Sequence, residues 1–150
     1  MTVDRVYTRQ ILSTTREASL AEAAATMQRF KVGALLVLES PSANAEPVGI
    51  VTDRDLAMQG FTAEANTVGD AMTPIVATIR EDTEVHEALE TMRAHGVRRL
   101  VVTTARGRVC GMLSIDDIID GLATDIVAAA AVLRHEIRLD SAGLGNIKIG

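Results

Sequence analysis

Apolar positions recur along this chain in two runs of one design. Leu20, Ala23, Ala24, Met27 and Phe30 fall three and four apart, as do Val85, Ala88, Leu89 and Met92, the spacing that lines one face of a helix. The first helix opens on Ser19-Leu20-Ala21-Glu22, where a hydroxyl and a glutamate three residues later form a capping-box pattern. The second is predicted to start at Thr83, with Glu84 and Glu87 near the positive end of its dipole. A short apolar strand follows each, Ala34–Leu38 or Leu100–Thr103, then a turn-rich connector, 40–47 or 104–108. Next comes a second strand, Val48–Val51 or Val109–Leu113, and a helix beginning after Thr52 or Ser114. A short extended piece precedes each first helix, Gln10–Thr14 and Ile75–Ile79. The pattern reads β-α-β-β-α, twice.

The two copies align residue by residue. Residues 20–38 laid over 85–103 share Glu22/Glu87, Ala23/Ala88, Thr26/Thr91, Met27/Met92, Val32/Val97, Leu35/Leu100 and Val37/Val102. After a connector three residues longer in the first copy, 48–56 lies over 110–118, with Gly49/Gly111 and Asp55/Asp117 identical and Thr52/Ser114 both hydroxylated. The expected organisation is an α/β (α+β) fold of two units, 1–62 and 63–122, joined through a linker at 61–74, with a C-terminal helix and loose tail over 123–150. Leu122, Ile126, Leu133 and Ile137 make one stripe on that last helix. Units of about 60 residues are marginal alone, so the two should share a core.

Composition narrows the class. Of the 150 residues, 47% are hydrophobic and 2% aromatic (Tyr7, Phe30 and Phe61), so the core must be aliphatic, with Met27, Met92 and Met112 as fillers. A net charge of -5 and few aromatics disfavour nucleic-acid binding. The start of the chain carries no apolar secretory region, and the longest apolar run, 126–133, is too short to span a bilayer. Cys110, the single cysteine, reads as a small buried residue in a reducing compartment, so the expected location is the cytoplasm. His86, His95 and His135 show no metal-ligand spacing, and no nucleophile-base pattern or glycine-rich phosphate loop is present; neither a metal, a required cofactor nor enzymatic activity is expected.

The strongest local signal is a glycine, two apolar residues, a hydroxyl and an aspartate three further on: 49–55 and 111–117. A strand ends at the hydroxyl and a helix begins, so free N–H groups favour an anion there, the hydroxyl can donate to phosphate or ribose oxygen, and the carboxylate can accept from a ribose diol. The same spacing suits a plain helix cap. Both readings stay open.

With Asp70-Ala71-Met72-Thr73 opening the second copy, the doubled unit resembles a tandem pair of CBS domains over roughly residues 3–122. The resemblance implies two copies packed about a pseudo-two-fold, and a regulatory, energy-sensing type of module rather than a catalyst. It implies two clefts for an adenosine-containing ligand: AMP, ADP, ATP, NAD or S-adenosylmethionine. Thr52 and Asp55 would serve one cleft, Ser114 and Asp117 the other, with adenine against Leu12 and Ser13, or Val76 and Ala77, and phosphate near Arg54, Arg98 and Arg99. Because Arg54 is matched by Asp116, and Gly33-Ala34 by Arg98-Arg99, the clefts should be inequivalent. Leu56/Ala57 and Ile118/Ile119/Leu122 would supply a homodimer surface, and an unidentified target protein is implied. A ligand-free interaction scaffold, with both motifs as caps only, is the alternative.

Overall fold

A computed structural model describes residues 1–42, 45–62, 66–75 and 77–141. Among these, the chain begins with a single 3-10 turn, Val3–Arg5, and forms seven strands and five helices. The first copy runs β1 (Ser13–Thr15), α1 (Leu20–Phe30), β2 (Ala34–Leu38), β3 (Pro47–Thr52) and α2 (Asp53–Thr62). After the short α3 (Val68–Ala71) and β4 (Thr73–Pro74), the second runs β5 (Thr78–Arg80), α4 (Val85–His95), β6 (Arg99–Thr103), β7 (Val109–Ser114) and α5 (Ile115–Ser141).

The repeat is repeated in the hydrogen bonding. β1 lies parallel to β2 and β2 antiparallel to β3; β5, β6 and β7 repeat this order. Ala34 faces Thr52 as Arg99 faces Ser114, and each hairpin carries an irregularity at the same place, after Val37 and after Val102. Alternation along the strands sends Leu35, Val37, Leu100 and Val102 into the two cores, while Leu36 and Val101 are buried on the opposite face.

The two cores are aliphatic, as the composition requires, and they are interlocked. The first gathers Ala23, Met27, Leu35, Val37 and Val51 with Val68 and Ala71 of α3. The second gathers Val85, Ala88, Met92, Leu100, Val102, Leu113 and Ile118 with Val3 and Tyr7 from the start of the chain. Each copy's leading segment therefore completes the other copy's core. β4 extends the first sheet through Ile50 and Gly49, and Thr8 pairs with Met112 at the corresponding edge of the second. The stretch expected to be a linker is structural over 68–74, because Val68 and Ala71 are buried. Asp70 accepts from the N–H groups of Asn66 and Thr67 and from the Thr67 hydroxyl, which holds its carboxyl below the usual carboxylate range.

Helix ends follow local chemistry, with one departure. Ser19 and Glu22 close the expected capping box on α1. The second helix starts at Val85 with Glu84 at its cap, not at Thr83. The N-terminal residue does the capping instead: Val85 N–H donates to the Met1 carbonyl at 2.9 Å, and the Met1 amino group pairs with Glu84 at 3.1 Å. The C-terminal helix expected within 123–150 is not separate, since α5 runs unbroken from Ile115 to Ser141, and the tail expected after it lies outside the described residues. Of the residues expected on a dimer surface, Ile118 instead lies in the second core and Leu56 packs against the first, while Ile119 and Leu122 remain exposed.

Candidate functional site

Each motif sits where a strand turns into a helix. At the first, Thr52 N–H donates to Asp55 Oδ2 at 2.9 Å and Asp55 N–H donates to Thr52 Oγ1 at 3.2 Å. At the second, Ser114 N–H and Ser114 Oγ donate to Asp117 Oδ2 at 2.8 and 2.7 Å, and Asp117 N–H donates back to Ser114 Oγ at 3.1 Å. Both acids thus close capping boxes, so that reading of the motif holds. A matching bond fixes each helix start beside the neighbouring strand: Asp53 N–H to the Gly33 carbonyl and Ile115 N–H to the Arg98 carbonyl.

Beside these turns lie two clefts, and each is assembled from both copies. The first, of 220 Å³, brings Thr52 together with Ala77, Arg98 and Arg99 of the second copy, over Ile50, Ile75, Val97 and Val101. The second, of 260 Å³, brings Ser114 and Asp117 together with Leu12 and Gly33-Ala34 of the first copy, beside Thr8, Gln10 and Met112. Arg99 lines both. Arg98 therefore stands across from Thr52 of the other copy and not in the cleft of its own copy's motif, as the copy-by-copy comparison implies, while Arg99 reaches both motifs.

The other expected residues are placed less directly. Asp55 is half-buried behind Thr52, tied into the cap; it, Arg54 and Ser13 are not among the residues lining either cleft. Val76 lies outside the described residues. Arg98 is exposed, with its guanidinium 4.0 Å from Asp116, so the acid that replaces Arg54 faces a cation of its own copy. Residues not singled out from sequence include Ile50 and Val101, each two positions along a strand from Thr52 and Arg99. The period-two alternation puts them on the same face and was the available signal.

The chemistry of the clefts differs. The first offers two guanidiniums and two hydroxyls, Thr52 and Thr73, above an aliphatic floor with no acid in the lining, a setting for an anion joined to an apolar ring. The second offers one guanidinium, a carboxylate and several hydrogen-bonding groups, a setting for a hydroxyl-rich ligand. Both volumes fall below the roughly 300–1,000 Å³ of typical small-molecule pockets. Among the described residues no cluster suited to a metal ion occurs, and no helix is long and apolar enough to cross a membrane.

Two interlocked β-α-β-β-α units with mixed clefts between them define a tandem α/β fold. The CBS domain family model matches residues 3–59 and 68–124, and the chain belongs to that family. An uncharacterized 17.7 kDa protein of Acidianus ambivalens is 32% identical over 117 residues, 77% of this chain and 70% of that protein. An uncharacterized protein of Methanopyrus kandleri is 29% identical over 123 residues, 79% of this chain, and the match spans 61% of that relative's length. The inosine-5'-monophosphate dehydrogenase of Methanocaldococcus jannaschii is 29% identical over 116 residues, which are 77% of this chain and 22% of that enzyme. Among solved structures, the CBS domain pair of protein MJ0100, in complex with 5'-methylthioadenosine and S-adenosyl-L-methionine, has a TM-score of 0.71 at 22% identity, covering 83% of this chain and 98% of that one. CBSX2 in complex with AMP has a TM-score of 0.66 at 26% identity, covering 82% and 96%.

Proposed function

We propose that this chain is a regulatory, non-catalytic CBS pair of units 1–62 and 63–122. It binds an adenosine-containing ligand in its clefts and passes occupancy, through a homodimer, to a target protein in the cytoplasm. The observation that carries the reading is the mixed lining: a ligand in either cleft touches both copies, so binding biases how the two units sit together. The AMP complex of CBSX2 and the adenosine-derivative complexes of MJ0100 support the ligand class. In the second cleft Asp117 would accept from ribose hydroxyls, with Ser114 close by and the base against Leu12. In the first, Arg98 and Arg99 would meet phosphate beside Thr52, with Ala77 against the base.

A thermal-shift panel of AMP, ADP, ATP, NAD and S-adenosylmethionine tests this. A ligand at 100 times its Kd stabilises the fold by about 2.7 kcal/mol, a shift of several degrees. At least one of the five should raise the melting temperature of the wild type, and the shift should shrink in Asp117→Ala or Arg99→Ala. A wild type that none of them shifts overturns the reading. The scaffold reading draws on the cap bonds at Asp55 and Asp117, and is the one left standing in that case. Turnover of any of these nucleotides would instead make the chain an enzyme.

A further inference from the structure

Helix α5 leaves the second core after Ile118 and runs on to Ser141, about 40 Å in all at 1.5 Å per residue. From Leu122 to Arg138 its residues are exposed apart from Ala130. On this arm Ile119, Leu122, Ile126, Leu133 and Ile137 share one stripe and are 43–69% exposed. A monomer has no use for such a stripe.

The helix also repeats itself in a particular way. Residues 115–120 read Ile-Asp-Asp-Ile-Ile-Asp, and 133–138 read Leu-Arg-His-Glu-Ile-Arg. Eighteen positions are five whole turns at 3.6 residues per turn, so the second hexad stands on the same faces as the first. Ile115 and Ile119 recur as Leu133 and Ile137, while Asp116 and Asp120 recur as Arg134 and Arg138. The apolar line is kept and the line flanking it changes sign. Glu136 points to the other side of the helix, away from the two arginines.

The geometry points to a second copy of this chain as the partner of α5, packed antiparallel about a two-fold beside Ile126 and Ala130. This deepens the homodimer reading above and rests on it. In that arrangement, like flanks of the two helices meet, so Asp116 and Asp120 of each protomer face Arg138 and Arg134 of the other. A parallel pair would set acid level with acid. The partner's Leu133 and Ile137 come down about 3 Å along the axis from Ile119 and Ile115, at the edge of the 500 Å³ groove between α4 and α5 that Leu89, Met92 and Val97 also line. The arm stripe and the groove thus form one continuous apolar surface. Groove and stripe together are needed to approach the roughly 800 Å² per partner of a stable interface. Apolar burial supplies the affinity, and the charge lines set direction and partner.

Solution mass of the full chain by light scattering tests this, with folding checked by circular dichroism. The wild type should have twice the 16.0 kDa chain mass. Arg134→Glu with Arg138→Glu, and separately Asp116→Arg with Asp120→Arg, should each fall to the single-chain mass. An equimolar mixture of the two should return to twice that mass, since both charge lines are complementary only in the mixed antiparallel pair. Leu133→Glu with Ile137→Glu, on the arm beyond the core, should also give the single-chain mass. Variants that remain dimeric, or a mixture of folded variants that stays monomeric, overturn the antiparallel α5 pairing while leaving the homodimer reading in place. A monomeric wild type overturns both.

Discussion

Gly111 is where the interlocking of the two copies is most sensitive to a single atom. A Cβ at this position would overlap the Tyr7 ring and the Thr8 carbonyl, neither of which is the free end of a flexible side chain. The segment cannot ease away, because Thr8 N–H donates to the Met112 carbonyl at 2.9 Å and Met112 N–H donates back to Thr8 at 3.0 Å. In Gly111→Ala the crossing segment must leave β7. That loses two backbone hydrogen bonds, at ~0.5–1.5 kcal/mol each. It also loses part of the burial of the Tyr7 ring, where full loss of a core aromatic costs ~3–5 kcal/mol. The expected destabilisation is therefore about 3–5 kcal/mol, a large share of the ~5–15 kcal/mol that holds a domain folded. The equivalent Gly49→Ala makes its worst contact with the end of the Met72 side chain, which can swing aside, leaving the Thr73 carbonyl at 2.9 Å. Overpacking of that kind costs about 1–2 kcal/mol. Urea unfolding followed by circular dichroism measures both. Tyr7 is the chain's single tyrosine and no tryptophan is present, so tyrosine emission reports separately on whether the crossing segment has lifted. Equal midpoints for Gly111→Ala and wild type, with the tyrosine still shielded, would refute the argument, as would a larger loss at Gly49.

Other consequences follow from the same structure. Lys31 ends α1 in the left-handed region at φ 54, which an L side chain adopts at a cost, so Lys31→Gly should raise stability by ~0.5–1 kcal/mol in denaturant melts. Gly96 holds the same conformation at the end of α4, and Gly96→Ala should lose about 1 kcal/mol although nothing stands in the way of the added methyl. The Asp117 carboxylate accepts two cap bonds to Asp55's one, so Asp117→Ala should cost more than Asp55→Ala in the unliganded protein, both within ~0.5–2 kcal/mol. The neighbouring Cys110 thiol, burial and the bond to Glu81 push the Tyr7 hydroxyl up to about 12 from 10.0. The neutral form is therefore favoured in the folded state. Its contribution to stability is full below pH 10 and is lost as pH rises toward 12, which tyrosinate absorbance and stability measured over that range would show.

The repeat makes most of this fold legible in the sequence. Helical spacing at Leu20–Phe30 and Val85–Met92, and the two glycine-to-aspartate elements, place α1, β2, β3, α4, β6 and β7 to within a residue or two, whereas the extended pieces at 10–14 and 75–79 begin three residues before β1 and β5. What stayed hidden was short or non-local. The four residues of α3 are too few to show a period, and the turn at Val3–Arg5 is held by a core more than 75 residues away in sequence. The start of α4 at Val85 is not legible locally because its first N–H is capped by the Met1 carbonyl, a partner no local pattern contains. At the site, residue types were readable and their grouping was not. Sequence comparison sets Arg98-Arg99 against Gly33-Ala34 copy by copy, whereas the fold puts Arg98 beside Thr52, places Arg99 in both clefts and groups Gly33-Ala34 with Ser114 and Asp117.

An amide NMR titration of the chain with AMP, and then with S-adenosylmethionine, tests the central claim most directly. Saturable shifts should appear together at Ser114 and Asp117 in one copy and at Leu12, Gly33 and Ala34 in the other, or at Thr52 together with Ala77, Arg98 and Arg99. Arg99 should move in either case, because it lines both clefts. Shifts confined to one copy, or spectra unchanged by these two and by ADP, ATP and NAD as well, would contradict an adenosine-binding cleft built across the repeat.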